Sequence, residues 1–399
     1  MSSLSFSDIL NKASVFKNKN VLSPHYYPPE MLYRDHELRT LMELIAPAFK
    51  GVKPNNLFIY GNSGCGKTAA VKLVLQKIKA EENTRVFTTY MNCRVYDSRY
   101  KVIQKLVGDF IIELPRTGHS MATIYEKLLD WIEDDDQGKN LIVVLDEIDA
   151  VKDLDDLVYT LTRTNDDLKK GSISVIGISN RIDFKKKLDA RSKSSLCEKE
   201  LVFHSYNASQ LSGILEDRIK ASFNDGAILH GALNLASAIA ASENGDVRYA
   251  LSLLLWAGEL ADSKKLKVVT EKEVEDARKK ADEDKSFELV SGLPQHQQLV
   301  LYALCLSDSE AYSKLVEENG DKYYFSGHVY EKYKSICRKT KVEPRSSRWY
   351  REYLHDLESL GLITTIESGK GVRGHATLIC PGFDPNKIRV IIEKRILGD

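Results

Sequence analysis

Residues Gly61–Thr68 (GNSGCGKT) place glycines, a lysine and a hydroxyl side chain at the spacing that serves phosphate chemistry. The glycines let the backbone turn with positive φ, so that successive N–H groups of Asn62, Ser63, Gly64, Cys65 and Gly66 face one anion. Ala69 then opens a helix whose N-terminus adds positive partial charge. Lys67 would reach the β- and γ-phosphates of ATP, and the Thr68 hydroxyl would bind Mg²⁺. A chance glycine turn is the bland alternative, and the strand–loop–helix context argues against it. Residues Leu141–Asp149 (LIVVLDEID) form an apolar run that emerges into carboxylates, as a buried strand does at its carboxyl edge, where open α/β sheets bind ligands. Asp146 would hold the metal, and Glu147 would orient and deprotonate the attacking water. For Asp149 a helix N-cap or a surface acid is as good a reading as a part in the site.

A third apolar run, Ser174–Asn180 (SVIGISN), ends in an amide. Asn180 could hydrogen-bond the γ-phosphate or the water, although alone such an Asn is more often a turn residue. Arg191 precedes the last candidate strand. Arg248 stands in the first turn of a helix, against its dipole, a place that suits a guanidinium kept for an anion. A solvated surface is the alternative for both arginines.

These groups need a frame. Between Asn56 and Tyr206, apolar runs at 57–60, 85–90, 141–145, 174–178 and 200–203 alternate with amphipathic stretches, which predicts an α/β fold with a parallel sheet covered on both faces. Stretches 208–222, 227–242 and 246–260 have helical spacing and predict an all-helical unit. The charge-dense segment 271–289 reads as a solvated helix bridging two domains, with a boundary near Ser291. Beyond it, 295–306, 323–340 and 346–361 read as three helices. Short β-prone runs around the glycine turn 369–374 follow, a winged variant of the helix-turn-helix.

The chain has 399 residues, 57 basic against 57 acidic, and is 43% hydrophobic. That composition excludes disorder and a polyelectrolyte that coats nucleic acid by bulk charge. Any anionic partner must meet a local patch. Residues 338–351 carry a net charge of +5. Ser346 and Ser347 would cap a helix whose first turns present Arg348, Trp349 and Arg351, with Arg345 just before it, to a DNA major groove. Lys370 and Arg373 in the glycine turn would reach a phosphate or the minor groove. A solvated helix and a flexible hairpin are the alternative. Six scattered cysteines indicate neither zinc nor a disulfide framework. No apolar run approaches the roughly 18 residues of a membrane helix, and the start lacks a secretory signal. The expectation is a cytoplasmic protein with no membrane partner.

Together GNSGCGKT, LIVVLDEID, VIGISN, LDARSKSSL and GDVRYAL, in that order and followed by a winged helix, resemble the AAA+ replication initiators of the archaeal and eukaryotic origin-recognition-complex/cell-division-control (Orc/Cdc) family. The resemblance covers the chain from about Ser23 onward. It implies an N-terminal extension at 1–22, an AAA+ nucleotide-binding domain at 23–206, a helical lid with linker at 207–290 and a winged-helix DNA-binding domain at 291–399. By that resemblance Lys67 and Thr68 are Walker A residues, Asp146 and Glu147 Walker B, Asn180 sensor 1 and Arg248 sensor 2. Arg191 matches an arginine finger acting in trans, with Ala190 where the family often has Pro. Tyr26, Pro28 and Arg34 would lie near the adenine. The segment 92–119, with Arg94, Arg99 and Lys101, matches the initiator-specific insertion, a second DNA contact. The implied activity is binding of double-stranded origin DNA under the control of ATP or ADP, with slow hydrolysis as reset. The implied partners are paralogues or a second copy on DNA and the replicative helicase. A clamp-loader-like remodelling ATPase and a nucleotide-bound regulator are the rival functions.

Overall fold

Alternation along five strands builds the first half of the molecule. In the computed structural model, residues 14–24, 26–81, 85–111, 118–134, 136, 138–181, 188–190, 192–193, 199–307, 323–367, 377–382 and 384–396 are described. Their contacts divide between Glu275 and Asp276 into two units. The first unit runs α1 (Asp35–Ile45), β1 (Leu57–Gly61), α2 (Lys67–Ala80), β2 (Val86–Asn92), α3 (Arg99–Phe110), α4 (Met121–Glu133), β3 (Asn140–Asp146), α5 (Leu154–Asp167), β4 (Ser172–Ser179) and β5 (Lys199–Phe203). Helices α6 (Ala208–Ser222), α7 (His230–Ser242) and α8 (Val247–Ser263) complete it.

The strands pair in the order β2-β3-β4-β1-β5, and every pairing is parallel. Side chains alternate between faces. Phe58, Tyr60, Val143, Leu145 and Val175 meet Val102, Leu106, Leu128 and Leu161 from α3, α4 and α5 on one face. Leu57, Ile59, Val144 and Ile176 meet Leu41, Ile45, Val71 and Val74 from α1 and α2 on the other. The central strands β3 and β4 are buried at every position, which is why they read as unbroken apolar runs. Strand β2 continues past the expected Tyr90 to Asn92, which pairs in register with Asp146. Ladder hydrogen bonds carry it into polar sequence that hydrophobicity does not mark.

This strand order sets β1 beside β4 and β4 beside β3, so the carboxyl ends of three strands open at one sheet edge. Gly177 on β4 makes the close packing possible: a Cβ there would lie 2.5 Å from the Phe58 ring.

Residues 14–22 do not stand apart from the helical part. Lys17 and Asn18 donate backbone N–H bonds to Ser222 O at 2.8 and 2.9 Å, and Phe16 packs on Phe223 with ring centres 4.6 Å apart. Helix α9 (Glu271–Gly292) is continuous through Ser291, where a boundary was expected. Its first turn is tied to the first unit by Thr270 and Glu273 (2.6 Å), while Val290 belongs to the core of the second.

The second unit contains α10 (Gln295–Cys305), β6 (Tyr324–Phe325), α11 (Ser326–Lys339), α12 (Ser347–Ser359), β7 (Ile363–Glu367), β8 (Thr377–Pro381) and α13 (Pro385–Ile396). Its antiparallel sheet has the order β6-β8-β7, and Tyr333, Leu357, Ile379 and Ile388 lie in its core. Three helices and a hairpin match the winged-helix expectation. The two-residue β6 is too short to register as a periodic signal, whereas the final helix carries Ile388, Ile391 and Ile392 at helical spacing, which the sequence reading passed over. No helix among the described residues is long and apolar enough to cross a membrane.

Gly177→Ala should lower the unfolding midpoint in urea by the equivalent of about 1–3 kcal/mol, the cost of overpacking a filled core. An unchanged midpoint would mean that Phe58 moves aside freely.

Candidate functional site

The loop after β1 wraps around a buried ammonium. Lys67 is 6% exposed, and its Nζ donates to Gly61 O (2.9 Å), Asn62 O (2.7 Å) and Asn180 Oδ1 (2.8 Å). Burial lowers its pKa from the usual lysine range, and the Arg248 charge pushes the same way. The sheet edge therefore brings Lys67 and Asn180 together, 113 residues apart in sequence. Gly64 turns with φ +71°, and a Cβ there would lie 1.8 Å from Asp246 Oδ1. Asp246 is the N-cap of α8, accepting from the backbone N–H of Arg248 and Tyr249, while Val247 N donates to Gly64 O at 3.4 Å. The lid helix thus starts on the phosphate-type loop.

Asp146 is 5% exposed at the end of β3. Thr68 Oγ1 donates to its Oδ2 at 2.8 Å, Tyr90 Oη to the same oxygen at 2.6 Å, and Glu147 N to Oδ1 at 3.0 Å. Because its O–H points to the carboxylate in a hydrogen bond, Thr68 keeps its oxygen lone pairs for a cation, and a hydroxyl beside a carboxylate is the hard oxygen donor set that Mg²⁺ takes. Glu147 has φ +54°, a left-handed conformation that clusters at functional positions, and it pairs with Arg94. Asp149 caps no helix and is not a bare surface acid, since it accepts from Ser179 Oγ at 2.7 Å.

A cleft of about 400 Å³ is lined by Ser63, Gly64, Gly66, Lys67, Thr68, Asp146, Glu147, Asn180 and Arg248. A second cleft shares Gly64, Gly66, Thr68 and Arg248 with it and adds Tyr26, Pro28, Ala69, Ile214 and Leu251. The first is walled by charge and the second largely by apolar and aromatic groups, a division that suits a triphosphate and a purine. Cys65 is fully buried, and the Asn62 amide turns to Ser205 Oγ at 3.0 Å.

Arg34 departs from its expected place near the adenine and lines neither cleft. Its guanidinium, 4% exposed, bonds Glu37 (2.7 Å), Cys65 O (3.0 Å) and His204 O (2.5 Å). It also lies 3.9 Å from the Tyr206 ring centre. Those partners engage both terminal nitrogens, while the buried Nε has no hydrogen-bond partner among the described residues, so the guanidinium braces the loop from behind. Arg191 lies outside the described residues.

Sequence reading missed Tyr90, Asp246, Lys72 and Arg218. Lys72 donates to Tyr27 Oη at 2.8 Å, and Arg218 lies 4.9 Å from the Tyr26 ring, so adjacent tyrosines reach α2 and α6. The D-V-R start of a helix could have marked Asp246 as a cap. Tyr90 carried only its place on one strand face with Asn92.

The expected DNA surfaces differ in how their charge is spent. In the insertion, Arg94 pairs with Glu147, Lys101 with Asp97 (2.6 Å) and Lys105 with Asp109, while the Arg99 backbone N–H is held by Asp153 at 2.7 Å. In the second unit Arg348 and Arg351 are exposed. Trp349 is 52% exposed and its ring centre lies 6.3 Å from that of Tyr353. Ser346 occupies the N-cap of α12 without a side-chain capping bond, and Ser347 is its first helical residue, so neither caps as expected. Arg345 is anchored through its N–H to Tyr333 Oη (3.1 Å) and its Nε to His296 Nε2 (3.3 Å). His296 Nδ1 lies 2.8 Å from Tyr333 Oη. Lys370 and Arg373 lie outside the described residues.

Three family models match: an AAA domain over residues 52–185, the Cdc6 AAA+ ATPase-type lid domain over 212–279 and the CDC6 C-terminal winged helix domain over 288–390. An ORC1-type DNA replication protein of Thermococcus onnurineus is 38% identical over 395 residues, covering 97% of this chain and 92% of that protein. ORC1-type DNA replication protein 1 of Archaeoglobus fulgidus is 36% identical, covering 98% and 93%. The structure of the Aeropyrum pernix ORC1 protein in complex with DNA has a TM-score of 0.74 and 33% identity, covering 96% of this chain and 98% of that one.

Burial, and then the Arg345 charge, lower the pKa of His296 from 6.5. A depressed histidine pKa means that the folded state favours the neutral ring. Its contribution to stability is present above pH 6.5 and is lost as pH falls through the folded pKa. Calorimetry between about pH 5 and 8 should show the second unit melting progressively lower in acid, and His296→Phe should flatten that dependence.

Proposed function

We propose that this chain, which belongs to the family of ORC1-type DNA replication proteins, binds duplex DNA at replication origins and uses ATP held at the Lys67 loop as a conformational switch. The observation that carries the switch is the seating of the lid helix on the loop: Val247 N meets Gly64 O, and Arg248 shares a cleft wall with Lys67. A nucleotide there touches both parts of the first unit, so it favours the lid position that fits it.

In this reading the N–H groups of Asn62–Gly66, Lys67 and Arg248 hold the phosphates, and Tyr26, Pro28 and Ala69 border the base. Thr68 and Asp146 hold Mg²⁺, which when bound offsets the charge of the β- and γ-phosphates. Glu147 accepts the proton of the attacking water, with Asn180 orienting it. Arg191 of a neighbouring copy would complete the site, so an isolated chain hydrolyses slowly. Arg345, Arg348, Trp349, Arg351, Lys370 and Arg373 form the principal DNA surface. The insertion, whose Arg94 and Lys101 already face carboxylates, is a weaker second contact. The DNA-bound ORC1 relative supports this assignment. Contacts with paralogues or a second copy on DNA, and helicase recruitment, complete the proposed role.

Lys67→Ala should abolish ATP retention, read by equilibrium binding, because it removes the counter-charge. Unchanged affinity would contradict the assignment. Arg348→Ala with Arg351→Ala should weaken origin binding and reduce the slope of log affinity against log salt by about 0.9 for each phosphate no longer neutralised. An unaltered slope would place the DNA surface elsewhere.

A further inference from the structure

Asp146 is a buried carboxylate, and one of its donors comes from a strand residue that is neither a phosphate nor a metal ligand. Two protons meet its Oδ2, from Thr68 at 2.8 Å and from Tyr90 at 2.6 Å. Tyr90 stands two residues before Asn92, which is in register with Asp146, so its side chain shares the strand face that borders the cleft. Its ring is pinned in turn. Lys72 Nζ lies 4.6 Å from the Tyr90 ring centre and 4.4 Å from that of Tyr27, and donates to Tyr27 Oη at 2.8 Å.

We propose that Tyr90 is a positioning residue that holds the Asp146 carboxylate in the orientation needed to recruit Mg²⁺, a role that rests on reading this cleft as a Mg²⁺–nucleotide site. A carboxylate that ligates through one oxygen must be stopped from rotating about its Cβ–Cγ bond. Partners behind a metal ligand do this by fixing the ligand, and losing one costs metal affinity without removing any ligand. Thr68 is itself a proposed ligand, and the Glu147 N–H grips the other oxygen. Tyr90 therefore supplies the one side-chain restraint on Oδ2, among the described residues, that does not also serve the metal.

The test titrates a fluorescent ATP analogue against wild type and Tyr90→Phe, in EDTA and across a range of Mg²⁺. Wild type should bind more tightly as Mg²⁺ rises. Tyr90→Phe should match wild type in EDTA, require about 10–100-fold more Mg²⁺ for the same tightening, and recover at saturating metal. An equal Mg²⁺ midpoint overturns the proposal. So does an equal loss of affinity with and without metal, which is the mark of a purely structural tyrosine. If wild-type binding ignored Mg²⁺, the reading of the cleft itself would fail and the proposal with it. Should Tyr90→Phe not fold, Lys72→Met, which keeps the hydroxyl but frees the ring, should move the Mg²⁺ midpoint in the same direction by a smaller factor; no movement overturns the proposal.

Discussion

An ammonium buried at a sheet edge is the constraint around which the first unit is arranged. Taking a charge from water is costly unless hydrogen bonds replace its hydration. Lys67 meets that condition with two backbone carbonyls and the Asn180 amide. Each acceptor depends on the sheet. Gly61 ends β1, and Asn180 follows β4, which lies beside β1. The filled cores on the two faces hold those strands in place, so apolar packing far from the cleft sets the distance between the lysine and its acceptors.

Close packing also governs the lid. Its helix α8 begins on Gly64, and its N-cap carboxylate fills the space that a side chain on the loop would need. Residues 14–22 join the lid through Phe16 and Ser222, and the following segment passes the clefts before α1 packs on α2. Tyr26 faces Arg218 of the lid, and Tyr27 faces Lys72 of the loop helix. Two neighbouring aromatic rings therefore meet both walls, one on the lid and one on the loop helix.

Charge is distributed unequally between the surfaces that sequence marked as basic. Along the insertion, Arg94, Lys101 and Lys105 each face a carboxylate from their own turn or from the residue after β3, so their field at long range is small. In the second unit the exposed arginines of α12 flank an indole that rests on Tyr353, which in turn stacks on His296 with ring centres 6.0 Å apart. That series of rings packs the start of the helix against α10.

What was legible beforehand was whatever short-range stereochemistry enforces. The loop Gly61–Thr68, the runs ending at Asp146 and Asn180, and the helical stretches announce themselves because turn geometry, period-two alternation and helical spacing act over a few residues. Partnerships between distant residues were not legible. Arg34 turns inward to Cys65 and His204, Arg94 to Glu147, and Tyr90 to Asp146. The Arg34 contacts follow from β1 lying beside β5, a non-sequential neighbour, whereas the Arg94 and Tyr90 contacts follow from the register of β2 on β3. Which strands become neighbours is settled by packing the whole sheet at once, and an ion pair or hydrogen bond forms only where that packing brings two side chains within about 3–4 Å.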